Sequence, residues 1–213
     1  MTLASPSDPL PRSFFGRTSL DVARDLLGRH LVKTIPDGSR LVARLVEVEA
    51  YRQDDPASHS YRGRTPRTDV MFGPPGYLYV YFTYGMHYCM NVVTGREGEG
   101  SAVLLRAAEP LEGVEEMARR RGVANPRLLL AGPARMCEAF GVSSEHNGLD
   151  LADGGAMHLE RGDRVRGDRV VAGPRVGITA AVDQPWRFVV RDSPYLSRRN
   201  PSPPRSRSRR VRG

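Results

Sequence analysis

The sequence predicts an α+β fold in one domain, a mostly antiparallel, curved β-sheet flanked by helices. Three observations carry this expectation. Strand-like and helix-like segments are interspersed without the regular spacing of βαβ units. Two strand patterns flank Tyr84-Gly85 as they would in a β-hairpin. The length, 213 residues, suits one domain with a sizeable core.

Taken in order, Thr18 with Asp21 three residues later makes a capping-box-like start for the helix LDVARDLLG, which Gly28 ends. Strands follow at HLVKTI and LVARLVEVEAY, separated by the turn PDGS. Residues 52–70 have neither periodicity and read as a long polar loop of the kind that usually carries function. YLYVYFTYGMHYCMNVV is the hairpin, SAVLLRA another strand, and PLEGVEEMARRRG and GPARMCEAFGV are helices, the second with Pro133 in its first turn. RVGITAAV and WRFVVRDSPYL return to strand patterns. Residues 1–197 form the expected folded domain.

The net charge of +8 is distributed unevenly. From Arg198 onward there are seven arginines and no acid, so residues 1–197 carry only +1. The Pro/Ser/Arg segment 198–213 cannot bury a core and is expected to be a disordered basic tail. Claims of nucleic-acid binding by the body must therefore rest on particular residues. Lys33 is the only lysine among 32 basic residues, and it lies far in sequence from the aromatic motifs, which argues against Schiff-base chemistry. Cys89 and Cys137 are isolated, so neither a disulfide framework nor a zinc site is indicated, and no cofactor is expected. A hydrophobic content of 39% excludes wholesale disorder. With no membrane-spanning apolar run and no signal-peptide pattern, a cytoplasmic location is expected.

LVEVEAY, residues 45–51, places two acids in a strand, where acids are depleted. Side-chain alternation puts Val46, Val48 and Ala50 on one face and Glu47, Glu49 and Tyr51 on the other, with the glutamate Cβ atoms roughly 6.6 Å apart. This face is either solvated or catalytic. Tyr77, Tyr79 and Tyr81 share a face of the first hairpin strand, and Tyr84 falls at the hairpin tip, where a large aromatic has little to pack on. Such a wedge suits the space left by an extruded base. Arg106, after four uncharged residues, needs an anion such as Glu49 or a phosphate. His59 sits in the polar loop.

VEVEAY, the ASHS loop, the TPR turn, MFGPPGYLYVYFTYGMHYCMNVV, AVLLRA with EPLEG, GPARMC, RVGI and RFVVRDSPYLS together resemble the mammalian-type alkyladenine (3-methyladenine) DNA glycosylases, from about Phe14 to Ser197. That resemblance implies a monofunctional enzyme that flips and hydrolytically releases alkylated purines, 3-methyladenine and 7-methylguanine, with deaminated or etheno purines as further substrates. Its implied partner is duplex DNA containing damaged purines, bound by a monomer whose hairpin enters the minor groove. It implies that Glu49 activates water, that Arg106 helps hold the water, and that Val176 offers it a main-chain carbonyl. Tyr51, His59 and Tyr81 would stack around the base, Asn91 would crowd the amine of normal guanine, Tyr84 would intercalate, and Arg135 would contact phosphate. The segment from Tyr51 to His59 is one residue shorter than in the mammalian pattern.

From the residues alone two other classes stay open. One is a non-catalytic nucleic-acid-binding module with stacking tyrosines. The other is a glycoside hydrolase using Glu47 and Glu49, whose estimated spacing falls at the low end of the inverting range.

Overall fold

The computed structural model describes residues 8–83 and 85–198. Helices α1 (Arg12–Phe15) and α2 (Ser19–Leu26) precede strands β1 (His30–Thr34) and β2 (Arg40–Tyr51). Thr18 caps α2 as the sequence predicts, its hydroxyl accepting from the Asp21 N–H at 3.2 Å. Gly28 leaves the helix with φ +83°, and a Cβ there would meet the Asp163 carbonyl oxygen at 2.0 Å, so only glycine fits.

The remaining elements are β3 (Leu78–Thr83), β4 (His87–Val93), β5 (Ala102–Glu112), α3 (Val114–Arg121), α4 (Pro126–Leu129), α5 (Pro133–Phe140), β6 (Met157–Glu160), β7 (Val170–Gly173) and β8 (Arg187–Val190). All strand pairs are antiparallel, in the order β3-β4-β5-β2-β1-β6, and β8 pairs both β2 and β7. The twelve-residue β2 is the axis of the sheet. Its first half pairs β1, its second half pairs β8 through Glu47–Glu49, and β5 lies along its other edge. Three register shifts between β2 and β5 curl the sheet, because an extra residue on one strand bends it and increases its twist. The main core gathers Leu45, Val48, Leu105 and Phe188 from the sheet with Val22 and Leu26 of α2 and Met136 and Phe140 of α5. A smaller cluster of Met71, Phe72, Tyr79, Val93 and Ala102 forms the floor for the tyrosine face.

The α+β expectation and the antiparallel sheet hold, with four local corrections. Pro110–Glu112, expected in a helix, end β5, paired with Ala43 and Val42. Gly113 (φ +70°) then breaks the strand, and a Cβ there would press on Leu41 and the Arg40 carbonyl, so the helix starts at Val114. The hairpin connection spans three residues, since Thr83 pairs with His87. RVGITAAV, expected as a strand, is irregular. Its Val176 N–H goes to a glutamate instead of a neighbouring strand, and its Arg175 is drawn into a buried ion pair. Four elements, α1, α4, β6 and β7, have no counterpart in the sequence pattern. Each is four residues long, too short for a periodicity, and β6 and β7 exist by pairing with β1 and β8.

Among the described residues no helix is long and apolar enough to cross a membrane. The tail expected from residue 198 lies, beyond Arg198 itself, outside the described residues.

Candidate active site

Glu47 and Glu49 are both fully buried, so the solvated-face reading of LVEVEAY does not hold. β5 and β8 flank them, and the two acids are held differently. Glu47 accepts from Arg187 Nε at 2.8 Å and from the N–H and hydroxyl of Ser197 at 2.7 and 2.8 Å. Glu49 accepts from the Val176 N–H at 2.8 Å and from the Tyr51 hydroxyl at 3.0 Å. Arg106 joins them, with Nε 3.1 Å from Glu47 and 3.5 Å from Glu49.

The two arginines and Ser197 saturate Glu47. Glu49 keeps one neutral phenol, one amide and a share of one guanidinium, too little to offset its loss of water. Burial therefore raises its pKa above the ordinary carboxylate value, against the opposing pull of Arg106, Val176 and Tyr51. A carboxylate raised in this way is a stronger base when ionised.

Next to Glu49 lies an aromatic slot lined by Tyr51, His59, Met71, Tyr79, Tyr81 and Asn91, with Ala57 and Ser58 of the polar loop. Tyr79 and Tyr81 have ring centroids 5.6 Å apart, and His59 meets Tyr81 edge-on at 4.5 Å. His59 Nδ1 is 3.1 Å from the Tyr79 hydroxyl. Burial, with Arg67 nearby, lowers the His59 pKa, so the ring is neutral at pH 7. The Asn91 amide donates to the Tyr79 carbonyl at 3.2 Å, which fixes the side chain across the β3–β4 pair. The loop itself is tied down by Ser60, whose hydroxyl donates to the Gly100 carbonyl at 2.5 Å.

An open groove adjoins the slot through Ala57, His59 and Tyr81 and includes Arg106, Pro133, Val176 and Thr179. Glu49 thus has one contact in the slot, Tyr51, and two in the groove, Arg106 and Val176. A larger hollow lined by Arg24, Arg164, Arg166 and Phe188 shares no residue with this site. Its acids Asp25 and Asp168 are paired with Arg17 and Arg166.

The structure brings together seven of the nine residues singled out in the sequence: Glu49, Arg106, Val176, Tyr51, His59, Tyr81 and Asn91. Val176 touches Glu49 through its N–H, whereas the resemblance had implied a role for its carbonyl. Arg135 is exposed in the first turn of α5, two residues from the groove residue Pro133, and donates to the Ala131 carbonyl of its own helix start. Tyr84 lies outside the described residues. The sequence reading missed Asp55, Arg175, Arg187 and Ser197. The two arginines carried a signal: each stands among apolar residues in a segment that buries it, the same argument for an anion partner that singled out Arg106.

A buried acid between an aromatic slot and a groove that includes Arg106 suits hydrolysis of a bond between a flat base and a sugar, and similarity to known proteins points the same way. The model of the methylpurine-DNA glycosylase family matches residues 13–194. The chain belongs to that family. Similar proteins include one from Streptomyces avermitilis, 49% identical over 212 residues that cover 97% of this chain and 99% of its own length. Another, from Carboxydothermus hydrogenoformans, is 46% identical over 190 residues, 89% of this chain and 99% of its own. A third, from Nitrobacter winogradskyi, is 49% identical over 89% of this chain and 88% of its own length. Each is provisionally named a 3-methyladenine DNA glycosylase. Family membership makes the chain a DNA glycosylase, a hydrolase of base excision repair whose substrate is DNA.

Proposed function

We propose that the chain releases alkylated purines from duplex DNA by a monofunctional hydrolysis in which Glu49 is the general base. The observation that carries this reading is the position of Glu49, a fully buried carboxylate with Tyr51 on the slot side and Arg106 and Val176 on the groove side.

In the reaction the damaged nucleotide is flipped, its base enters the slot and its sugar stays in the groove. Tyr51, His59 and Tyr81 stack around the base, and Asn91 crowds the exocyclic amine of an undamaged guanine. The water oxygen attacks C1′, its proton passes to Glu49, and the C1′–N9 bond breaks with its electron pair leaving on the purine. The Glu49 carboxylate also stabilises the oxocarbenium character that develops on the sugar. A purine methylated at N3 or N7 carries a positive charge in the nucleoside and leaves as a neutral base. It needs no acid, which fits a slot whose histidine is neutral. Tyr84 at the hairpin tip would fill the vacated stack from the minor groove, and Arg135 would hold a phosphate. Deaminated and etheno purines are further substrates on this reading, the protein acts as a monomer in the cytoplasm, and its catalytic domain ends at residue 197.

Lys33 supports the hydrolytic assignment. Its amine donates to the Gly141 carbonyl at 3.0 Å and sits 2.8 Å from His146, neither of which lines the slot or the groove. The test is direct: incubate the protein with a duplex carrying a single 7-methylguanine or ethenoadenine, then treat with alkali. Strand scission at the lesion is expected from the wild type and not from Glu49→Gln. An intact strand with the wild type on both duplexes refutes the reading.

A further inference from the structure

The most heavily buried ion pair at the edge of the site is one that the reaction does not use. Arg175 and Asp55 have side chains with no exposed surface. Arg175 Nη2 donates to Asp55 at 3.0 Å, Nη1 donates to the other oxygen of the same carboxylate, and Nη1 also reaches the Ala50 carbonyl at 3.0 Å. Its Nε has no hydrogen-bond partner among the described residues, so Asp55 alone neutralises the guanidinium. The guanidinium lies over two rings, its Cζ 4.6 Å from the centroid of Tyr51 and 5.1 Å from that of Trp186. Tyr51 therefore has a cation against one side and lines the base slot with what remains.

This arrangement has a consequence for the charge of the base. A purine alkylated at N3 or N7 is a cation, whereas hypoxanthine and ethenoadenine are neutral. A base stacked on Tyr51 would be separated from Arg175 by one aromatic ring, about 8 Å from charge to charge at ordinary stacking distances. Both cations would draw on the same ring quadrupole and repel each other through it. At an effective dielectric of about 20, an uncompensated arginine at that distance disfavours a cationic base on the order of 10- to 30-fold and leaves a neutral one nearly unaffected. The bidentate carboxylate of Asp55 cancels that field.

We propose that the Asp55–Arg175 pair is a specificity determinant which keeps Tyr51 receptive to positively charged bases. The inference rests on the slot being the base site, as in the proposed function. Other charges near the slot, Glu49 at the Tyr51 hydroxyl and Arg67 with its Cζ 5.9 Å from the Tyr81 centroid, are unaltered by changes to the pair.

The experiment is a ratio of affinities. Binding to otherwise identical duplexes, one with 7-methylguanine and one with ethenoadenine, is measured in a Glu49→Gln background so that neither base is cut. Adding Asp55→Asn leaves the arginine uncompensated and is expected to weaken binding of the cationic lesion at least tenfold relative to the neutral one. Arg175→Met removes the cation and leaves the carboxylate, and is expected to move the ratio the other way. The double variant Asp55→Asn/Arg175→Met, which carries neither charge, should return it to within about threefold of the parent. A purely structural pair would weaken both lesions alike, so an unchanged ratio in the single variants overturns the proposal. Should Asp55→Asn fail to fold, Arg175→Met and the double variant decide by the same ratio. Excision by the wild-type chain is assayed alongside. If it releases bases normally and the ratio is fixed, only this inference falls; if it releases neither base, the proposed function falls and takes this inference with it.

Discussion

Ser197 donates its N–H at 2.7 Å and its hydroxyl at 2.8 Å to Glu47, 150 residues earlier in the chain. The same hydroxyl accepts from Arg106 Nε at 3.1 Å, and Arg187 bonds the carbonyl of Arg198 at 3.1 Å. The last described residues are thus part of the support of Arg106, the arginine that faces Glu49. The basic tail departs from that point.

The position of the cut should therefore decide what truncation does. Removing residues 199–213 should leave single-turnover excision at saturating DNA unchanged. The salt dependence of binding should flatten by about 0.9 in log–log slope for each phosphate that the tail had neutralised. Removing residues 197–213 should also slow excision, because Glu47 and Arg106 lose a shared partner. Comparing the two truncations at saturation checks this, and equal rates would disconnect Ser197 from the site.

Glu49→Gln should abolish excision while lesion binding survives, since the amide keeps the shape but cannot take a proton. The pH profile carries a second readout. The base works only when ionised, and burial raises its pKa, so the acid limb of the single-turnover rate should lie above the usual carboxylate range. A group whose folded pKa is raised costs the fold free energy once it ionises. The stability gain of Glu49→Gln over wild type should accordingly grow as pH rises through that pKa and vanish in acid. Thermal unfolding across pH measures it, and a gap that widens toward acid would contradict the sign.

Glu47→Gln should act mainly on the fold. The change removes the charge that two buried arginines share, and loss of one partner from a buried pair costs about 3–5 kcal/mol. Denaturant melts should show that loss, while the chemical step falls much less than in Glu49→Gln. Identical losses of rate would mean that Glu49 is not the sole base.

Asn91→Ser should relax the rejection of undamaged guanine. Rejection by a small steric element is worth about 1–3 kcal/mol, so the ratio of lesion to guanine excision should drop roughly 10- to 200-fold. An unaltered ratio would take Asn91 out of the discrimination.

Borohydride should trap no covalent complex with DNA, and Lys33→Arg should excise normally. A trapped adduct that disappears with this substitution would require a lyase mechanism.

Much of the fold is legible in the sequence because its signals are local. The Thr18 cap, the turn at PDGS, the alternation through β2 and the proline opening α5 each need only a few neighbouring residues. Glu49 is legible because a carboxylate in an apolar strand is itself an anomaly. What escapes is what long-range partners create. Nothing within RVGITAAV says that an amide will be spent on Glu49 or that Arg175 will find Asp55, which lies 120 residues away. Arg175, one residue before Val176, shows in sequence at most that it needs an anion, and which anion is set only when the chain folds. Glu47 is similarly ambiguous: alternation gives it the same face as Glu49, and only the arrival of Arg187 and Ser197 closes it off.

The forked pairing of β2 also bears on when the enzyme becomes active. β1 and the first half of β2 form a local hairpin that can close early, whereas the second half, with both glutamates, waits for β8 at residues 187–190. Contacts of such separation carry a large loop-closure cost and form late. During synthesis the tyrosines of the slot emerge well before β8 and Val176, which flank and bond Glu49. A nascent chain can thus assemble its aromatic face before Glu49 is enclosed, and on the proposed function hydrolytic competence waits for β8 and Ser197 to leave the ribosome.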